Sequence, residues 1–303
     1  MSRRILGIAL VAAAALSAAA LGQPAYSVQK VGDGIWAAQP PNGANVGWFL
    51  LGNEVVVVDS GPDAASAKFL LEKIAETAGK PVRYLIITHA HGDHAGGASV
   101  FAAAGARIIA DEHAATGIAG VLQRAESAPN PFLVLSERLS FVGGPRRVGI
   151  LWLGAGHSAS DLVIILPDDK VLFTGDLVTT ARLPFMQSPD CDSQNWEKIV
   201  PRLAALDADR IVPGHGDIGS RQGIADTLAY VRKVNSLARQ FIQQRVPDEL
   251  FEARLRDPAN RIEHVSVTPE HVANVRAVVK REKEALEKRS SATPTPRHAP
   301  AKK

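Results

Sequence analysis

Thr88-His89-Ala90-His91-Gly92-Asp93-His94-Ala95-Gly96-Gly97 decides how this chain is read, because it sets four metal-capable side chains, His89, His91, Asp93 and His94, within six residues. Imidazole nitrogen and carboxylate oxygen suit zinc, and a catalytic zinc keeps one position open while protein groups fill the rest. The spacing follows neither the two-residue period of a strand nor the 3.6-residue period of a helix, so one face of a regular element does not account for it. Ahead of the cluster, Val82 to Ile87 contains a short run of β-branched and aromatic residues of the kind that forms a buried strand, and Ala90 and Gly92 keep the following turn small. The four residues therefore leave the end of a strand.

The same local pattern recurs three times downstream. Ile150 to Leu153 runs into Gly154-Ala155-Gly156-His157, Val171 to Thr174 into Gly175-Asp176, and Ile211 to Pro213 into Gly214-His215. Each glycine permits a sharp turn and close backbone approach. A shared rim of strand ends would gather all seven residues, enough for two metals.

His89-Ala-His91-Gly-Asp93-His94, followed in order by His157, Asp176 and His215, resembles the metallo-β-lactamase superfamily of metallohydrolases over roughly Val28 to Gly219. Val55-Val-Val-Val-Asp59-Ser-Gly61 is similar to the family's early strand, which ends in an acidic residue that supports the metal loop. The resemblance implies one metal held by His89, His91 and His157, a second held by Asp93, His94 and His215, and Asp176 bridging both. It implies two zinc ions per chain, with iron or manganese as alternative occupants. The implied fold is α/β: a four-layer αββα sandwich, two sheets face to face with helices outside and the metals at one edge. Strand-like runs at 45–51, 55–58, 82–88, 107–110, 148–153, 162–166 and 171–174, interspersed with helical stretches at about 64–77, 95–104 and 192–206, agree with layered α and β.

The implied chemistry is hydrolysis by a hydroxide shared between the two metals, with Asp93 as the catalytic residue that orients it. Asp176 stands where the best-known β-lactamase subgroup of the family carries cysteine. The combination here is more similar to the family's thioesterases and lactonases, so the expected substrate is a small ester, thioester or lactone. Hydrolysis of β-lactam amides is the alternative. An alternative of another class is a non-catalytic periplasmic metal-binding accessory protein. Trp36, Trp48, Phe185 and Met186 fall in segments that border the site in the family's fold, where an apolar wall would suit an acyl group; core packing is the other reading for the two tryptophans.

Composition bounds the remainder. The 303 residues, 46% of them hydrophobic, suffice for one large domain with appendages. Arg3 and Arg4 precede an apolar, alanine-rich stretch from Ile5 to Leu21, which reads as a secretory signal over 1–22 and a periplasmic or secreted destination. The catalytic domain is expected over 23–219, a helical region over 220–289 and a disordered tail over 290–303. Ile224, Leu228, Val231, Val234 and Leu237 form one apolar stripe, and Val272, Val275, Val279 and Leu286 another. Taking Arg3 and Arg4 from the 34 basic residues leaves 32 against 31 acidic ones, so no nucleic-acid surface is indicated. No stable membrane insertion is expected once the signal is cleaved. The single cysteine, Cys191, permits no internal disulfide and reads as an incidental turn residue. His113, His264, His271 and His298 lack ligand-spaced company.

Overall fold

The computed structural model describes residues 26–41, 43–124 and 133–291; the expected signal segment and most of the expected tail lie outside the described residues. Two mixed sheets follow from the apolar runs. Strands β1 (Ser27–Gly32), β2 (Ile35–Gln39), β3 (Val46–Leu51) and β4 (Glu54–Val58) form an antiparallel meander, to which β5 (Val82–Ile86), β6 (Arg107–Asp111) and β7 (Leu133–Leu135) add in parallel, giving seven strands in sequential order. Strands β8 (Arg138–Gly143), β9 (Arg146–Trp152), β10 (Leu162–Leu166), β11 (Val171–Thr179) and β12 (Arg210–His215) make the second sheet, antiparallel except for the parallel β11–β12 pair.

The layers can be read from β4. Its four valines are buried on both faces: Val55 and Val57 belong to a core shared with helices, Val56 and Val58 to a core shared with the second sheet. Burying each contributes about 1.5–3 kcal/mol relative to exposure. The helix-side core contains Leu70 and Ile74 of α1 (Ala64–Ala78), Phe101 of α3 (Ala98–Ala103) and Ile118 and Leu122 of α4 (Ala115–Arg124); α2 (Gly92–Ala95) is the short turn between β5 and α3. The inter-sheet core sets Phe49 of β3 against Phe173 of β11, ring centroids 6.1 Å apart. Beyond the second sheet, α5 (Ser193–Ala204) buries Trp196, Ile199, Val200 and Leu203, and the Trp196 indole donates to the Leu177 carbonyl at 3.1 Å. This is a four-layer αββα sandwich.

Parallel pairing decides where chemistry can gather. Strands β4, β5 and β6 run the same way, so Asp59, His89 and Asp111 emerge at one edge of the first sheet. In the second sheet, β11 and β12 deliver Asp176 and His215. The register of β11 against β12 slips on either side of Gly175, a bulge of the kind that re-aims a side chain, and the next residue is Asp176.

Two details depart from the sequence reading. The helix expected over 95–104 is broken, because Gly97 N–H donates to the Gly61 carbonyl at 3.0 Å and the His94 carbonyl accepts from Ser60 N–H at 2.7 Å; the approach is so close that a Cβ on Gly96 would lie 2.0 Å from the Pro62 carbonyl oxygen and one on Gly97 2.3 Å from that of Ser60. These glycines let the histidine loop dock on the turn after β4. Strands β1, β2, β7 and β8 were not anticipated: β7 has three residues, and β8 is an edge strand with alternate side chains exposed.

The described residues fall into two compact units, one ending at Ala229 and the other starting at Tyr230, within α6 (Gln222–Gln243). The second unit continues through α7 (Phe251–Leu255) and α8 (Pro269–Ser291). There Phe241 and Phe251 lie 5.0 Å apart, and buried Tyr230 accepts from Asn274 Nδ2 at 2.9 Å and meets His271 Nδ1 at 3.1 Å. Val272, Val275 and Val279 of the α8 stripe are buried, whereas Leu286 is exposed.

Candidate metal centre

The structure brings His89, His91, Asp93, His94, His157, Asp176 and His215 to this one edge. Three groups of donor atoms converge there, each spanning at most 4.8 Å: His89, His91 and His157; His89, His94 and Asp176; Asp93, His94 and His215. In the first, His91 Nδ1 lies 3.1 Å from His89 Nε2 and 3.0 Å from His157 Nε2. Nitrogens about 2.0–2.1 Å from one tetrahedral zinc stand roughly 3.3 Å from each other, so three lone pairs are already at near-ligand separations. In the third, Asp93 Oδ2 is 3.1 Å from His215 Nε2 and 3.9 Å from His94 Nε2. Asp176 lies between the groups: Oδ1 is 3.2 Å from His94 Nε2, and Oδ2 is 3.4 Å from both His157 Nε2 and His215 Nε2.

Two atoms test whether a cation fits. His94 Nε2 and Asp176 Oδ1 are buried and face each other at 3.2 Å without hydrogen-bond geometry. A buried carboxylate oxygen and imidazole nitrogen left in this state cost a few kcal/mol unless something else satisfies them. A dication between the groups would satisfy both, and the all-imidazole and carboxylate donor set suits zinc. Cys191, buried in the turn before α5, is not among these donors.

The outward nitrogens are anchored as well. His157 Nδ1 donates to the Phe185 carbonyl at 3.0 Å and His215 Nδ1 to that of Gly43 at 2.6 Å. His94 Nδ1 donates to Asp59 Oδ2 at 2.8 Å. Asp59 also accepts from Thr88 N at 2.8 Å and from Thr88 Oγ1 at 2.9 Å, and the same hydroxyl stands 3.1 Å from His89 Nδ1. The cost of this arrangement appears in the backbone of Asp59, a non-glycine residue at φ +65°. Asp59 thus sits where the early acidic residue was expected and fixes two rings at once.

Electrostatics divide the centre into two halves. Burial, reinforced by neighbouring imidazoles, pushes His89 well below the ordinary histidine value, and burial brings His157 down to about 4. These rings are neutral lone-pair donors. The other half is opposite: burial disfavours charge on His94 and His215, but Asp176 and Asp59 hold His94 well above its ordinary value, and hydrogen bonds to Asp176 and Asp93 lift His215 to about 9. Burial likewise opposes ionisation of Asp93, yet the His215 hydrogen bond and the His94 charge lower it to about 2. Protons on His94 and His215 therefore balance Asp93 and Asp176, positive charge that a bound dication would replace.

A family model described as the metallo-beta-lactamase superfamily matches residues 40–215, more than half of the chain. The chain belongs to the metallo-beta-lactamase superfamily. It is similar to the metallo-beta-lactamase type 2 of Bacillus cereus, 28% identical over 179 residues that cover 57% of this chain and 67% of the relative. It is also similar to that of Elizabethkingia meningoseptica, 26% identical over 223 residues, 69% of this chain and 87% of the relative. Among solved structures, a metallo-beta-lactamase from Pontibacter korlensis superposes with a TM-score of 0.60 at 24% identity, covering 68% of this chain and 99% of that one. The FIM-1 enzyme of Pseudomonas aeruginosa in its mono-zinc form gives 0.59 at 22% identity, covering 70% and 96%. Like its superfamily, this chain is a metal-dependent hydrolase with a metal-binding site.

Sequence reading passed over several residues that shape this superfamily site. Asn45 straps the His215 turn: Nδ2 donates to the carbonyls of Pro213 at 3.0 Å and Gly216 at 2.9 Å, and its own N–H to Gly214 at 2.7 Å. Asp161 accepts from the backbone N–H groups of Gly156 and Ser158, at 3.1 and 2.9 Å, and so holds the His157 turn. Ser188 and Asp190 were visible only as turn residues. The signal available for Asn45 and Asp161 was a polar residue abutting an apolar strand run. Trp48 is buried in the helix-side core with its indole on Thr77 Oγ1, and Trp36 packs on that cluster, so these two are core residues, not walls. Phe185 lies beside the centre, its ring 6.2 Å from that of His157.

Proposed function

We propose that this superfamily member is an exported dinuclear zinc hydrolase of small esters, thioesters or lactones. The observation that carries the reading is Asp176, a buried carboxylate within 3.2–3.4 Å of His94, His157 and His215. One zinc would be held by His89, His91 and His157, the other by Asp93, His94 and His215, with Asp176 shared. When bound, such ions supply a Lewis acid for a carbonyl and a water acidic enough to attack near neutral pH.

The chain's own residues do the rest. Asp93 has a side chain 37% exposed, the most open of the carboxylates in the centre, and it stays ionised down to about pH 2. It can accept a hydrogen bond from the attacking water through Oδ1 and turn that water's lone pair toward the substrate. Asp59, Thr88 and the Gly43 and Phe185 carbonyls fix the ring tautomers, so lone pairs face inward without reorganisation. The groups gathered are imidazoles and carboxylates, so a leaving group that departs as a stable anion suits them best. Thiolates and aryloxides do so readily, and a ring-opened alkoxide would do so with a bound cation to hold its charge. The N-terminal Arg3-Arg4 and apolar 5–21 stretch support export; a processed N-terminus near residue 23 in the periplasmic fraction would test it.

One observation favours a second reading, β-lactam hydrolysis. Arg182 Nη1 stands 3.1 Å from His215 Nδ1, a nitrogen already donating to Gly43, so the exposed guanidinium lies beside the centre with donors to spare for a substrate carboxylate. The two curated relatives described above carry the β-lactamase name. The zinc-loaded protein should be assayed on a thioester, an acyl lactone, an aryl ester and a chromogenic cephalosporin, with Asp93→Ala as blank. Preferred turnover of the first three supports the leading reading; turnover of the cephalosporin alone establishes the second, with Arg182→Ala then raising its KM. Silence on all four contradicts both.

A further inference from the structure

Resting on the reading of His91 as a metal-holding residue, we infer that Ser188 and Asp190 form a relay that positions the His91 ring and raises its strength as a donor. Of the five clustered rings, His91 alone turns Nδ1 inward, toward His89 and His157, and Nε2 outward. With the Nδ1 lone pair facing the centre, the ring proton must sit on Nε2, and the atom facing it is Ser188 Oγ at 3.3 Å. That hydroxyl in turn donates to Asp190 Oδ1. The other carboxylate oxygen, Asp190 Oδ2, accepts from the N–H of Ala159 at 3.0 Å, two residues beyond His157.

Every proton in this chain of bonds has one possible direction: imidazole to hydroxyl, hydroxyl to carboxylate. The ionised acceptor at its end strengthens both links. It repeats at His91 what Thr88 and Asp59 do at His89, where a hydroxyl again stands between ring and carboxylate. The Ser188–Asp190 turn also joins two segments of the same donor group, through the His91 ring on one side and the Ala159 backbone on the other. Outer partners of this sort orient ligating histidines, and removing one typically costs about 10–100-fold in metal affinity.

Zinc affinity should be measured in the full chain by competition with a chromophoric chelator, together with the visible spectrum of the Co(II)-substituted protein. Ser188→Ala should weaken the tighter or weaker of the two zinc sites by about 10–100-fold and alter the Co(II) ligand-field bands. Asp190→Asn, at an exposed position, should move both readouts the same way, and Ser188→Thr, which keeps the hydroxyl, should restore them. His91→Ala marks what loss of the whole ring does. Wild-type affinity and spectrum in Ser188→Ala and Asp190→Asn, beside a lost site in His91→Ala, would overturn the relay alone. Two intact sites in His91→Ala would overturn the assignment of His91, and the relay with it.

Discussion

Gly214→Ala adds one methyl group to the centre and changes no donor. The new Cβ would lie 1.9 Å from Asp176 Oδ1, 2.7 Å from the carbonyl carbon of Gly175 and 2.8 Å from Asp176 N. To reach even a 3.0 Å separation the carboxylate oxygen must retreat by about 1.1 Å, and the backbone by a few tenths of an ångström. Oδ1 and Oδ2 now stand 3.2–3.4 Å from three imidazole nitrogens, so a retreat of that size removes the shared carboxylate from one group or the other. A misplacement of about 1 Å costs on the order of 100-fold in rate, and the overpacking costs about 1–3 kcal/mol of stability. Gly92→Ala is the matched control, because its Cβ would meet nothing within 4 Å. The assay is kcat/KM on the preferred substrate, with zinc content and a circular-dichroism melt on the same samples. Gly214→Ala should lose at least about 100-fold in kcat/KM and part of its zinc, while Gly92→Ala stays near wild type. Wild-type kcat/KM and two zinc ions in folded Gly214→Ala would refute the claim that Asp176 must occupy its observed place.

Other outcomes follow from the same contacts. Asp59→Asn keeps a residue type that tolerates the positive φ of this position but loses the charge that three donors share; zinc affinity should fall about 10–100-fold with the fold retained in far-ultraviolet circular dichroism. Zinc uptake by the metal-free protein at pH 7 should release up to two protons, because His94, held well above its ordinary value, and His215, at about 9, are protonated there and must deprotonate to bind; affinity therefore rises with pH until about 9 and weakens below it, and an indicator dye showing no proton release would contradict this charge balance. Gly47→Ala would put a Cβ 2.2 Å from the Phe173 ring between the sheets, so chemical denaturation should show a loss of about 1–3 kcal/mol with zinc stoichiometry unchanged.

The contrast between His91 and its relay shows what a sequence conceals. His89, His91, Asp93 and His94 announce themselves because four donors crowd into six residues, and the remaining three because each follows a glycine at the end of an apolar run. The layered fold was legible for the same reason: β4 and β10 are short apolar runs buried on both faces, a strong local signal. Strand β8, an edge strand with alternate residues exposed, carries no such signal, and the break after α2 depends on the backbone of Ser60 and Pro62, about 35 residues earlier. Ser188 and Asp190 reach His91 across 97 residues, and nothing in Ser-Pro-Asp-Cys predicts that contact. Trp48 shows the converse: the sequence leaves a site wall and core packing both open for it, and the face of the strand it occupies puts it in the core.

The central claim is that one carboxylate, Asp176, serves two zinc ions. An anomalous difference map at the zinc absorption edge, from crystals of the zinc-loaded protein, tests it directly. Two peaks are predicted, one among His89 Nε2, His91 Nδ1 and His157 Nε2, the other among Asp93, His94 and His215, with Asp176 touching both. A single peak, or two peaks of which one stands clear of Asp176, would contradict it.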